Sequence, residues 1–275
     1  MNEPVAAIHV TQLSGGPHRL AFLHGLFGQG RNFTRIARGL SDLASSWLID
    51  TPNHGRSAWT EEFSYPLVAD LIADELDQLD AFAHPMILVG HSMGGKLAMR
   101  LTLDHPELVQ AVVVVDVSPA ASTEPSDFVP YIQAMLGIDL TTLTDRSQAD
   151  AALSRAVPDR SVRDFLLQNL HRRPAGVTRP GQDEWYWQLN LPLLGASLPT
   201  IGGWDDPGSQ WTGPVLWIRG GRSDYVRPEH EQAMARLFPN HQLVTIADAG
   251  HWVHTDAPEE FVATLRDFVS RLPIT

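Results

Sequence analysis

The sequence predicts an α/β fold, in which a mostly parallel central sheet carries helices on both faces and receives an inserted helical cap. The first observation is that short apolar segments rich in β-prone residues alternate with segments whose apolar residues recur at helical spacing. The second is that this alternation stops near residue 120 and resumes with Pro214-Val-Leu-Trp-Ile218. We therefore expect residues 1–119 and 213–275 to form the core, and residues 120–212 to form the cap.

Each expected element follows from these patterns along the chain. Strands are expected at residues 5–12, 19–23, 47–50, 86–89, 110–117, 214–218 and 241–246, with a turn at Gly15-Gly-Pro17. Core helices are expected at residues 32–43, 66–79, from 94 onward, 229–237 and 257–272. Cap helices are expected at residues 128–136, 148–156 and 162–170, with no strong strand among them. Right-handed crossovers bring the loops after the parallel strands to one edge of the sheet, where ligands bind.

Composition restricts the classes of protein. With 275 residues, 43% hydrophobic and 19% charged, the chain can bury the core of one globular domain. The absence of cysteine excludes a disulfide framework, a thiol nucleophile and a cysteine zinc site. The formal net charge of −12 argues against binding to nucleic acid or to an anionic membrane. The acidic composition identifies no dimer-forming patch, so the oligomeric state stays open.

The expected location is the cytoplasm. No run approaches the roughly 18–20 apolar residues that a membrane span needs. The start, Met1-Asn-Glu-Pro4, lacks the basic segment followed by an apolar segment that characterises a signal peptide. We therefore expect a cytoplasmic protein that acts on a small molecule, with neither a nucleic-acid nor a membrane partner.

The segment Gly90-His-Ser-Met-Gly94 fits the pattern G-x-S-x-G. This pattern also occurs by chance, where it marks only a glycine-rich turn with an exposed serine. Here an apolar strand precedes it and an amphipathic helix follows it, and both flanks favour a nucleophile. A serine in such a strand-to-helix turn has a strained backbone that holds its hydroxyl out at the edge of the sheet. We therefore predict Ser92 as the nucleophile.

A serine nucleophile needs a general base, and a carboxylate that orients the base. His251 follows the last predicted strand and is the expected base, although a loop histidine can also be a surface residue. Asp224, in the turn after the penultimate strand, is the preferred acid. Asp116, at the end of the strand after the nucleophile helix, is the runner-up, and the unused aspartate would anchor a loop. His254 is expected at the surface or at a helix start.

The oxyanion of a tetrahedral intermediate needs two backbone N–H donors. We expect these donors from Met93, directly after the nucleophile, and from Leu26, in the loop after residues 19–23. Candidate substrate contacts are His24, Phe27 and His91, which lie next to these positions in the sequence, and Trp187 in the predicted cap. For His24 a structural role is favoured over contact with substrate, and Trp187 fits the core of the cap equally well. No cofactor or metal is expected, since the H-E-x-x-H spacing is absent.

At finer grain the chain resembles a group of small bacterial and mitochondrial carboxylesterases of the α/β-hydrolase superfamily. The resemblance spans nearly the whole chain and implies activity on short- to medium-chain esters, some thioesters included. In some similar proteins the aspartate of the Gly-x-x-Asp turn is absent, which keeps Asp116 in consideration here. The segments that carry the resemblance are His24-Gly-Leu-Phe-Gly28, Asp50-Thr-Pro-Asn-His-Gly-Arg-Ser57, Gly90-His-Ser-Met-Gly-Gly95, Val115-Asp-Val-Ser-Pro119, Asp164-Phe-Leu-Leu-Gln-Asn-Leu170, Trp187-Gln-Leu-Asn-Leu191 and Ala249-Gly-His-Trp-Val-His254.

The hypothesis is therefore a serine carboxylesterase that forms an acyl-enzyme on Ser92. A serine at this position argues against haloalkane dehalogenases and epoxide hydrolases, which need an aspartate there. A thioesterase or a C–C bond hydrolase would use the same three residues and stays an alternative. A non-catalytic binding protein of this fold is the alternative from another class, and the intact set of serine, histidine and acid weighs against it.

Overall fold

A computed structural model of the chain describes residues 7–121, 128–174 and 184–275. The strands in these residues are β1 (His9–Leu23), β2 (Ala44–Asp50), β3 (Met86–His91), β4 (Val109–Val115), β5 (Leu170–Arg172), β6 (Trp185–Trp187), β7 (Val215–Gly220) and β8 (His241–Ile246). The helices are α1 (Thr34–Gly39), α2 (Tyr65–Gln78), α3 (Met93–Asp104), α4 (Val129–Leu136), α5 (Arg146–Leu153), α6 (Arg160–Leu167), α7 (Leu191–Ala196), α8 (Leu198–Gly202), α9 (Glu231–Leu237), α10 (Val253–Asp256) and α11 (Pro258–Val269). Short 3-10 helices cover Gly30–Phe33, Pro106–Leu108 and Pro228–His230.

The main sheet has six strands in the order β2-β1-β3-β4-β7-β8. The pairs β1–β3, β3–β4, β4–β7 and β7–β8 are parallel. β1 contacts β2 along two stretches. His9 to Leu13 run antiparallel to Asp50–Ser46, and after register shifts Arg19 to Leu23 lie opposite Ser45 to Ile49. The expected α/β fold with a mostly parallel sheet is confirmed, and the carboxyl ends of the parallel strands lie at one edge.

Helices cover both faces of this sheet because each strand presents alternate apolar residues to opposite sides. In β1, Ala21 and Leu23 belong to the core cluster that contains α2 and α3. Leu20 and Phe22, which alternate with them, belong to the second cluster, against α1 and α11. Such near-continuous apolar strands are typical of a parallel sheet buried on both faces.

The chain between β4 and β7, here called the insertion, adds no strand to the main sheet within its described residues. It contains α4 to α8 and the antiparallel pair β5–β6. The expectation of no strong strand in this segment was wrong. Trp185 and Trp187 are buried while Tyr186 between them is partly exposed, which is the alternation of a strand. A three-residue strand is too short for this pattern to be distinguished in the sequence.

Several predicted boundaries move, for local reasons. The strands predicted at 5–12 and 19–23 form the single strand β1, and Val5 and Ala6 lie outside the described residues, as does Met1-Asn-Glu-Pro4. The predicted helix 148–156 begins earlier because Asp145 caps α5 and accepts the Ser147 N–H at 2.8 Å. Asp159 caps α6 in the same way, through the Ser161 N–H at 2.7 Å. Among the described residues, no helix is both long and apolar enough to cross a membrane.

Lys96, the single lysine of the sequence, fastens the insertion to α3. Its side chain is 4% exposed, and burial lowers its pKa to about 8. The Nζ atom donates to the carbonyl oxygens of Ala120, Gly202 and Gly203 at 3.0, 2.7 and 2.7 Å. These three acceptors match the three N–H bonds of an ammonium group. The Lys96 side chain therefore connects α3 to the segment that follows β4 and to the end of α8.

The variant Lys96→Met is expected to lower the free energy of unfolding by about 2 kcal/mol, because three buried carbonyl groups lose a charged donor. Thermal unfolding should then occur about 4–8 °C lower. Arg38→Met, which removes an exposed cation, is the control and should change the unfolding free energy by less than about 0.5 kcal/mol. Equal stability of Lys96→Met and wild type would show that this contact stabilises nothing.

Candidate active site

Ser92 lies in a tight turn between β3 and α3. Its backbone has φ 54° and ψ −118°, a strained conformation for a residue with a side chain. Glycine is required on both sides of it, because a Cβ at Gly90 would lie 2.1 Å from the Gly94 oxygen. A Cβ at Gly94 would lie 2.2 Å from the Leu23 oxygen in β1. The motif therefore allows the start of the helix to contact the sheet directly, with the serine at the apex.

Three side chains meet in line at this edge of the sheet. The Nε2 atom of His251 is 3.1 Å from the Ser92 Oγ. The Nδ1 atom of the same ring is 2.8 Å from Asp116 Oδ2. A carboxylate only accepts hydrogen bonds, so the ring proton is on Nδ1 and the Nε2 lone pair faces the serine hydroxyl. This arrangement can take a proton from the hydroxyl as it attacks an electrophile.

The preference for Asp224 as the partner of His251 does not agree with the structure. Asp224 is exposed, and its backbone oxygen accepts a hydrogen bond from Arg227 Nε at 2.9 Å. Asp116 instead is fully buried directly after β4 and accepts the Gly220 N–H at 3.0 Å through Oδ1. In the loop after β7, the side chain that points inward is Ser223, which donates to Asp116 Oδ2. The acid contacting the histidine is thus the runner-up.

Two residues next to His251 help to hold it in place. The sequence did not single out the first, Tyr225, and it assigned the second, His91, to substrate contact. Tyr225 stacks on the His251 ring with centroids 4.0 Å apart and planes 21° apart. His91, predicted as a substrate contact, donates from Nε2 to the His251 backbone oxygen at 2.8 Å. A neutral His91 ring with its proton on Nε2 leaves Nδ1 as an acceptor. The only sequence signal for Tyr225 is its position next to the predicted acid.

Both expected oxyanion donors are free for a ligand. Among the residues that the structure describes, neither the Leu26 N–H nor the Met93 N–H has a hydrogen-bond partner. Met93 is the first residue of α3, whose N-terminal N–H groups have no partner within the helix. Leu26 lines the same opening as Ser92. Two unpaired N–H groups next to a nucleophile can stabilise developing negative charge on an oxygen.

Two openings lie at this edge of the sheet, and Ser92 and His251 line the first of them. The first, of about 230 Å³, is lined by residues that include Leu26, Ser92, Phe128, Phe165, His251 and Trp252. The second, of about 210 Å³, is lined by residues that include His24, Asn32, Phe33, His91, Phe165 and His254.

Two predicted substrate contacts, Phe27 and Trp187, line neither opening. The Phe27 ring is buried edge-on against Phe128, with centroids 5.7 Å apart. Trp187 packs inside the insertion, as the alternative interpretation had it.

His24 has a structural role in the loop after β1. Its Nδ1 donates to the Gly25 oxygen at 2.8 Å, and its Nε2 accepts the Thr51 N–H at 3.0 Å. His254 begins α10 as one interpretation predicted, but it is buried, so the surface interpretation was wrong. It lies against Phe33, with ring centroids 4.7 Å apart. Phe33 lies on a distant segment of the sequence, so the residues around His254 could not indicate that His254 is buried against it.

Buried histidines make the protein sensitive to acid. Burial lowers the pKa of His24 to about 4, that of His54 to about 3 and that of His254 to about 4. Their pKa in the unfolded chain is about 6.5. Between these values the unfolded state binds more protons, so the free energy of unfolding falls as the pH falls from about 6.5 towards 4.

Each such histidine is expected to contribute up to about 1.4 kcal/mol per pH unit to this loss. Urea unfolding at about pH 7, 6 and 5 measures the slope, and His54→Gln should reduce it by about one histidine's share. His84→Gln, at an exposed histidine, serves as the control. A slope that His54→Gln leaves unchanged would contradict the assignment of His54.

Among the described residues, no group of three or more His, Asp or Glu side chains is arranged to bind a metal ion.

Comparison with known proteins agrees with the fold. The alpha/beta hydrolase fold family matches residues 19–258. The chain belongs to the α/β-hydrolase fold family. The esterase YbfF of Escherichia coli (strain K12) is 30% identical over 255 residues, which cover 91% of this chain and 92% of that protein. The sn-1-specific diacylglycerol lipase ABHD11 of Mus musculus is 37% identical over 257 residues, which cover 91% and 80%.

Among solved structures, a marine microorganism esterase superposes with a TM-score of 0.88 and 29% sequence identity. The superposition covers 96% of this chain and 99% of that one. The resemblance to esterases of the α/β-hydrolase superfamily is confirmed, and so is the expectation of a carboxylesterase-type hydrolase.

Proposed function

We propose that this α/β-hydrolase cleaves carboxylic esters of short- to medium-chain acids through an acyl-enzyme on Ser92. The observation that carries the proposal is the line of hydrogen bonds from Ser92 through His251 to Asp116, with distances of 3.1 and 2.8 Å. Residues 120–212 serve as the cap that covers this line and governs the choice of substrate.

The reaction has two halves. Ser92 Oγ attacks the ester carbonyl while His251 Nε2 takes its proton, and Asp116 stabilises the resulting imidazolium. The N–H groups of Leu26 and Met93 stabilise the oxyanion. His251 then protonates the leaving alcohol, which departs and leaves the acyl group on the serine. Water, activated by the same histidine, releases the acid and restores the enzyme.

The lining of the opening beside Ser92 favours an uncharged acyl group. Its Phe128, Phe165 and Trp252 walls are apolar, which suits an alkyl chain rather than a charged group. A longer chain would need displacement of these aromatic side chains.

A series of p-nitrophenyl esters from acetate to palmitate tests the proposal. We expect kcat/KM to be highest at short to medium chain lengths and to fall by about 10-fold or more at palmitate, because the apolar walls limit the length that fits. If wild-type protein hydrolyses none of these esters, the carboxylesterase proposal fails.

Long-chain glycerol esters are the second candidate substrates, because the mouse relative is named a diacylglycerol lipase. Parallel assays with a dioctanoyl and a dioleoyl glycerol separate the two candidates. Preference for the dioleoyl substrate over p-nitrophenyl butyrate would replace the short-chain assignment. Thioester and C–C substrates test the other serine-hydrolase alternatives. Labelling by a fluorophosphonate, lost in a Ser92 variant, would exclude a non-catalytic binding protein.

A further inference from the structure

The loop that carries Leu26 contains a strained turn. The Gly28 N–H donates to the Gly25 oxygen at 2.9 Å, which closes a four-residue turn. Phe27, the third residue of this turn, has φ 64°. Leu26, the second residue, is not among the residues with positive φ, so the turn has the pattern of type II, which usually has glycine or asparagine at the third position. A bulky aromatic residue in this conformation persists only where its surroundings hold it.

Asn169, from the insertion, holds this turn with hydrogen bonds on both sides of it. Its Nδ2 donates to the Phe27 oxygen at 2.8 Å, and its Oδ1 accepts from Gln29 Nε2 at 2.7 Å. A further bond from Nδ2 to the Leu166 oxygen, at 3.2 Å, ties the same amide to the end of α6. The Asn169 side chain is 0% exposed, so its donors and its acceptor are used inside the protein.

The apolar contact of this turn also comes from the insertion. The Phe27 ring packs edge-on against Phe128, with planes 79° apart. The polar and the apolar support of Phe27 therefore both come from residues more than a hundred positions away in the sequence. Loss of the Asn169 bonds would let Phe27 relax towards negative φ and would displace Leu26, the residue directly before it.

We propose that Asn169 is a positioning residue, which keeps the Leu26 N–H aimed at the oxyanion by holding Phe27 in its strained conformation. The proposal rests on the function proposed above. It makes the placement of the insertion a condition for a complete oxyanion hole. Nothing in the role requires Asn169 to contact the substrate, and Asn169 lines neither opening.

Two variants test this role. Asn169→Leu removes all three hydrogen bonds of this side chain with little change in volume. Asn169→Asp keeps the acceptor for Gln29 and replaces the donor to Phe27 by an oxygen. Both are expected to lower kcat for p-nitrophenyl butyrate by about 10²-fold, because a misplaced donor no longer meets the oxyanion. KM should change by less than about 3-fold, since the walls formed by Phe165 and Trp252 stay in place.

Affinity for an alkyl trifluoromethyl ketone is the readout that a general structural role would not produce. Ser92 Oγ adds to its carbonyl carbon, the carbonyl electron pair moves to oxygen, and His251 takes the serine proton. The resulting anion occupies the oxyanion hole as a transition state does. The inhibition constant is therefore expected to rise in the Asn169 variants by the same factor by which kcat/KM falls.

Lys96→Met is the matched control, because it loosens the insertion at another point and leaves the Leu26 loop alone. It should keep the wild-type affinity for the ketone. Folding is checked in every variant by circular dichroism and by the unfolding temperature. If a folded Asn169 variant binds the ketone as wild type does, or if Lys96→Met weakens it equally, the role of Asn169 is refuted. A wild-type protein that neither hydrolyses esters nor binds the ketone would refute the proposed function first, and this inference with it.

Discussion

Ser92→Ala is expected to lower kcat for ester hydrolysis by about 10⁴- to 10⁶-fold, the range found when a nucleophile that acts as one unit with its base is removed. The physical reason is that, within the part of the chain that the structure describes, the hydroxyl that contacts His251 Nε2 is that of Ser92, at 3.1 Å. The residual rate would come from binding and from the backbone donors alone. Steady-state hydrolysis of p-nitrophenyl butyrate measures the loss.

The control for this variant is its fold. Alanine has the same strained backbone to adopt as serine, so the unfolding temperature of Ser92→Ala should stay within a few degrees of wild type. A folded Ser92→Ala protein that retains more than about a tenth of the wild-type rate would exclude Ser92 as the nucleophile. Loss of fluorophosphonate labelling in the same variant would locate the modified residue independently.

Asp116→Asn is expected to lower kcat by about 10⁴-fold, because an amide no longer stabilises the imidazolium and favours the wrong ring tautomer. The isosteric amide keeps the volume of a fully buried site, which limits the damage to the fold. The pH profile of kcat/KM in wild type and in Asp116→Asn is a second readout, because the His251 ring must be neutral to accept the serine proton.

Asp224→Asn is the matched comparison, since it makes the same chemical change in the loop that also carries Ser223. Asp224 is exposed and its backbone, not its carboxylate, makes the hydrogen bond to Arg227. Its substitution should change kcat by less than about 3-fold, as surface substitutions usually do. A larger loss in Asp224→Asn than in Asp116→Asn would reverse the assignment and restore the preference drawn from the sequence.

The sequence by itself determined the fold class and two members of the site. The strand, turn and helix around Ser92 lie in the single segment from Met86 to Asp104, so their pattern could be recognised locally. His251 could be located because it follows the last strand of an alternating pattern. The backbone donors at Leu26 and Met93 followed from the same local positions. These features are local, so periodicity and spacing were sufficient to predict them.

The tertiary structure alone decided which aspartate faces His251. Asp116 follows β4 and Asp224 follows β7, and these two strands are neighbours in the sheet. Both loops thus reach the same edge, and sequence spacing cannot distinguish them. The difference is which side chain of the β7 loop points inward, and this is Ser223. Such a choice depends on the packing of two loops that are more than a hundred residues apart.

The same reason explains the other features that the sequence did not indicate. Asn169 meets Phe27 across 142 positions, and nothing near either residue signals the contact. In the sequence Lys96 looks like an ordinary residue of a helix. It is buried because the distant residues Gly202 and Gly203 place their carbonyl oxygens next to its ammonium group. Local patterns determine which elements form, whereas contacts between distant segments determine which polar side chains are brought together and buried.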